Sequence, residues 1–126
     1  MSTVLLFNIQ NEAKRTAIRL LSYRLGFSFR DVPPEKQNMT ISDLLSGGES
    51  TSLCPAPFSD EMMVMHQLPS QDMHTLLDTM RENGCAVKLK CVVTETNKAW
   101  TAVRLHRELA AEERAMNLRK KAKHKA

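Results

Sequence analysis

"EMMVMHQLPSQDMHTLLDTMRENGCAVKLKCVV", residues 61–93, decides how this chain folds. Met62 to Met65 form an apolar run with no polar alternation, the mark of a strand buried on both faces. Met73, Leu76, Leu77 and Met80 then recur at helical spacing, with Ser70 as a candidate cap and Gly84 as the stop. "CAVKLKCVV" follows, setting Val87, Leu89 and Cys91 against Lys88 and Lys90, as in a strand with one face toward water. The order is strand, helix, strand.

The same order opens the chain. "TVLLFNI", residues 3–9, is a second wholly apolar strand. Ala13, Ala17, Leu20, Leu21 and Leu25 mark a helix that Asn11 can cap and Gly26 can close. "FSFRDV", residues 27–32, alternates Phe27 and Phe29 against Ser28 and Arg30, and Pro33 and Pro34 stop it. Few side chains match between the two units, so the repeat is one of pattern. Residues 33–60 connect them and read as the mobile part of the chain, rich in proline, glycine and small polar residues. Within that segment "MTISDLLSGG" predicts a short helix capped by Thr40 or Ser42 and closed by Gly47 and Gly48. A last helix is expected from about Lys98. Residues 1–118 are thus expected to form one domain, and residues 119–126 a basic tail.

Two apolar strands belong in the middle of a sheet and two alternating ones at its edges. The architecture expected is an α+β, two-layer, ferredoxin-like βαββαβ sandwich, its open face covered by the added C-terminal helix through Trp100, Val103 and Leu109. A small flavodoxin-like parallel α/β sheet is the alternative, since it also centres the first and third strands.

A chain of 126 residues with 42% hydrophobic and 25% charged content can bury a core. Neither a signal peptide nor an apolar run near 20 residues is seen, so a cytoplasmic, membrane-free setting is expected. Three cysteines without zinc spacing agree with reduced thiols. Cys85 and Cys91, on one predicted strand, would stand about 20 Å from each other and could not bridge. Arg119, Lys120, Lys121, Lys123 and Lys125 account for the net charge of +4, since the remainder holds 13 basic against 14 acidic residues.

No enzyme motif is present: the four glycines form no phosphate loop, and C-x-x-C, H-E-x-x-H and G-x-S-x-G are all absent. A soft-metal reading of Met62, Met63, Met65, His66, Cys85 and Cys91 fails on strand geometry, because Met62 and Met63 point to opposite faces. No metal and no cofactor are therefore expected, and neither His74 nor His106 can be given a catalytic partner from sequence.

The junction "VTETNKAW", residues 93–100, is the most distinctive polar stretch. Thr96 or Asn97 would cap the last helix, and Trp100 would be buried against the sheet. The alternative is a small anion site made by Thr94, Thr96, Asn97, Lys98 and the helix N-terminus near Trp100. From Phe58 to about Glu113 the chain resembles a bacterial family catalogued as the domain of unknown function 3783 (DUF3783), above all in its "VVTETNxxW" junction, Val92 to Trp100. That resemblance implies the strand–helix–strand–helix shape and no activity.

A non-enzymatic binding or regulatory module is expected, contacting RNA or an acidic partner weakly and nonspecifically through its tail. A protein partner or a homodimer through a sheet edge would also suit it. The competing expectation is a small enzyme, or an enzyme subunit, with its site at Thr94–Trp100.

Overall fold

The computed structural model describes residues 2–49 and 54–124. Its two mostly apolar strands, β1 (Thr3–Phe7) and β3 (Met62–His66), run antiparallel at the centre of one sheet, with Leu5 opposite Val64. On either side lie β2 (Ser28–Val32), parallel to β1, and β4 (Leu89–Val92), parallel to β3. The strand order is β2-β1-β3-β4.

This mixed α+β sheet has the expected centre but not the ferredoxin-like edges. A split βαβ unit inserts a foreign strand between the two that its helix joins. Here β1 and β2 are direct neighbours, as are β3 and β4. The flavodoxin-like alternative fails at the antiparallel β1–β3 pair. Hydrophobic patterning ranks strands by burial, and exchanging the two edge strands leaves every burial class unchanged. Pattern alone is blind to that choice.

Both crossover helices, α1 (Glu12–Leu25) and α3 (Ser70–Glu82), lie on one face, where Ile18, Leu21, Leu76 and Met80 pack on Val4, Leu6, Met63 and Met65. Right-handed crossovers require this, because the second unit reverses both the strand direction and the direction of the sideways step. The opposite face carries α2 (Ile41–Ser46) and α4 (Ala102–His124), which cover Leu5, Phe7, Met62 and Val64 with Ile41, Leu44, Ala102 and Leu105. The result is three layers, with α2 joining the terminal helix in the third. Gln37, Met39, Ile41 and Leu44 of the connecting segment are buried there.

The two halves match beyond their strands. Asn8 and Gln67, each the first residue after a central strand, are the only non-glycine residues with positive φ among those described, at 60° and 59°. Each edge strand is followed by a 3-10 turn, Pro34–Lys36 or Asn97–Ala99. Next comes a threonine-capped helix: Thr40 Oγ1 accepts from Asp43 N at 3.1 Å, and Thr101 Oγ1 from Arg104 N at 3.2 Å. These threonines form an antiparallel bridge, with Ile41 N donating to Trp100 O at 2.9 Å and Ala102 N to Met39 O at 3.1 Å. A pseudo-twofold axis normal to the sheet therefore passes near Leu5–Val64 and Thr40–Thr101.

Three local expectations shift. Ser70 is the first residue of α3 rather than its cap, and Pro69 precedes it without a side-chain capping bond. Cys85 lies ahead of β4, not in it. It is buried between the sheet and the crossover helices, whereas Cys91 packs on the opposite face, and both thiols are free.

Candidate functional site

The junction after β4 is closed on itself. Asn97 is buried and uses its whole side chain: Oδ1 accepts from Thr94 N at 2.8 Å, and Nδ2 donates to Val92 O at 3.0 Å. Thr94 Oγ1 returns the bond, accepting from Asn97 N at 3.0 Å, as in a reciprocal capping box. Thr96 is exposed. Lys98 Nζ sits 2.7 Å from Glu95 Oε2, and that contact holds the Glu95 carboxyl below its ordinary range. Trp100 is half-buried against the α2–α4 side of the core, with the Arg104 guanidinium 4.5 Å from its ring centroid.

Neither Thr96 nor Asn97 caps α4, because that helix starts four residues later than its sequence implies. A 3-10 turn takes up Asn97–Ala99, and Thr101 is the cap. The N–H groups an anion would need are already taken. Ala102 N donates to Met39 O, Val103 N to Gln37 O at 3.1 Å, Arg104 N to Thr101 Oγ1, and Leu105 N to Thr101 O at 2.9 Å. The helix N-terminus that looked like a ligand site is a protein–protein seam within one chain.

Gln37 completes that seam, and sequence reasoning missed it. It is fully buried; its Oε1 accepts from Phe58 N at 2.8 Å and its Nε2 donates to Phe58 O at 3.3 Å. Asn8 Nδ2 also donates to Phe58 O, at 2.8 Å, and to Asp60 O at 3.0 Å. Phe58 packs on Phe7 and stacks flat on the His106 ring, with centroids 4.2 Å apart and planes 2° apart. His106 Nε2 lies 2.8 Å from Asp60 Oδ2. Nothing in the local pattern pairs residues so far apart in sequence.

An Asp–His pair is the usual partner of a nucleophile, yet among the described residues no Ser, Thr or Cys side chain bonds to His106. Cys91 is no substitute, because burial, with Glu112 nearby, pushes its thiol up to about 11. Beside Asp60 a cleft of about 490 Å³ is lined by Ser59, Glu61, Lys88, Glu113 and Arg114. Most of its charges already have partners: Glu61 pairs with Lys14, Asp60 with His106, and Lys88 with Glu113 at 3.8 Å. Among the described residues no cluster of His, Cys, Asp and Glu could hold a metal ion.

The basic end is where charge stands uncompensated. The packed part of α4 ends at Glu113, and every residue from Arg114 to Lys121 is exposed. The helix continues to His124, so residues 114–124 project about 16 Å at 1.5 Å per residue. Arg119, Lys120 and Lys121 lie on this extension; of Lys123 only the backbone is described, and Lys125 lies outside the described residues. No acidic residue follows Glu113. No helix among the described residues is long and apolar enough to cross a membrane.

Residues 61–116 match the model of a family described as a domain of unknown function (DUF3783). The match begins one residue before β3 and ends inside α4, so it covers the second half alone. No curated protein and no solved structure matches the chain.

Proposed function

We propose that the chain is a non-enzymatic binding module that holds a polyanion, a nucleic-acid backbone, along the projecting end of α4. The carrying observation is that Arg119, Lys120 and Lys121 ride exposed on a continuous helix beyond the packed part of α4, with no acidic residue on the same extension. A helix presents such charges at fixed spacing, and their position near its C-terminus suits the helix dipole. Contact would be with phosphates and largely independent of base sequence, since Trp100 is already covered by Arg104 and offers no platform for stacking bases. The reading places the chain in the cytoplasm, where free thiols persist. The competing enzyme at Thr94–Trp100 gains no support, because the Asn97 amide and the N–H groups at the start of α4 already have partners within the chain.

The test is fluorescence anisotropy with labelled single-stranded RNA and duplex DNA across a salt series. Binding should weaken steeply with salt, and each neutralised contact should lower the logarithmic slope by about 0.7–0.9. Changing Arg119, Lys120, Lys121, Lys123 and Lys125 together to Gln should abolish binding and leave the melting temperature unchanged. Undiminished binding by that variant would overturn the proposal. Equal or better retention of an acidic polypeptide would replace nucleic acid with a protein partner.

A further inference from the structure

Helix α1 leaves an apolar face uncovered. On α1, Leu20 is 63% exposed and Tyr23 94% exposed, although both are large and hydrophobic enough to be buried elsewhere. Ala13, Thr16, Ala17 and Leu20 line a groove of about 570 Å³ between α1 and α3, and Glu12 and Arg24 border it at the two ends of the helix. Small residues occupy the N-terminal half of this stripe and large ones the C-terminal half.

We infer that this stripe is a self-association face, filled by α1 of a second copy of the chain packed antiparallel on it. A twofold axis beside Ile18 sets Glu12 opposite Arg24 of the second copy, Ala13 opposite its Tyr23 and Thr16 opposite its Leu20. Each large side chain meets a small one, and each carboxylate meets a guanidinium, twice per dimer. That self-complementarity is what an isologous interface requires. The sheet edges offer less, since Lys88 and Lys90 flank or occupy β4, and such lysines hinder edge-to-edge pairing. One helix pair with its neighbouring groove falls at the small end of specific interfaces, so the dimer is weak and concentration-dependent.

Sedimentation of the full chain over roughly 10 µM to 1 mM should show a monomer–dimer equilibrium. Leu20→Glu should raise the dissociation constant at least about tenfold without altering the circular dichroism melt, because Leu20 supports nothing in the monomer core. Glu12→Arg alone and Arg24→Glu alone should each weaken the dimer roughly fivefold, and the two together should restore it. The exchange separates dimerisation from helix stability, since both changes oppose the helix dipole and would add if monomer stability were the cause. A chain that stays monomeric throughout overturns the inference. So does a dimer indifferent to Leu20→Glu, or a charge exchange that fails to rescue.

Discussion

The first half of the molecule closes with a helix of six residues and the second with one of 23, on otherwise equivalent scaffolds. The equivalent parts explain how the chain folds: a central strand, a left-handed residue, a crossover helix, an edge strand, a 3-10 turn and a threonine cap occur twice. What differs lies outside that scaffold. Gln37 is buried in the seam, whereas its counterpart Lys98 is exposed. The first half stops at Gly47, while α4 runs on past the sheet with unbalanced positive charge. Symmetry accounts for stability, and the departures from it are where recognition has room to occur.

The strongest way to break this comparison is to separate the halves. Residues 54–126 alone would expose the β1-facing edge of β3 and lose the partner of Thr101, leaving a buried central strand paired on one edge only. The fragment is expected to be unfolded or self-paired by circular dichroism and sedimentation, and a folded monomer would refute the two-half account. Next come Leu44→Ala and Leu105→Ala, at equivalent places on the third layer. Both leucines are buried, and each change should cost about 2–5 kcal/mol in chemical denaturation. A negligible cost at Leu44 would show that α2 is decoration.

Gln37→Leu should cost about 1–3 kcal/mol by leaving the Phe58 N–H without its partner, while Lys98→Leu at the equivalent exposed position should stay within about 0.5 kcal/mol. Equal effects would remove the asymmetry claimed for the seam. The smallest effect concerns pH. Arg15 binds both oxygens of Asp31, at 2.7 and 2.8 Å, and its hydrogen bonds hold that carboxyl below its ordinary range. A depressed folded value adds stability above the unfolded pKa of about 3.9, and that increment is lost as pH falls through the folded value. Asp31→Asn should therefore lower the melting temperature slightly at neutral pH and flatten its decline below about pH 4.

Much of this frame was legible in the residues. The apolar runs at Thr3–Phe7 and Met62–His66 named the central strands, and Asn11, Thr40, Gly26 and Gly47 marked helix ends as capping chemistry requires. Edge choice was hidden because β2 and β4 are equally half-wet, whichever central strand they join. The seam was hidden for a different reason. Gln37, Phe58, Asp60 and His106 are ordinary in their local contexts, and only tertiary closure brings them together. Thr94 and Asn97 attracted notice for the right chemistry but the wrong partner, since they bond to each other's backbone N–H and Asn97 Nδ2 is taken by Val92 O.

The claim that recognition lies in the asymmetric extension is tested most directly by the salt dependence of RNA binding, compared between the full chain and a chain ending at Glu113. The full chain should bind at low salt with an affinity that falls steeply as salt rises, and the shortened chain should melt at nearly the same temperature and bind nothing. Equal binding by the shortened chain would assign recognition to the symmetric body and contradict the account.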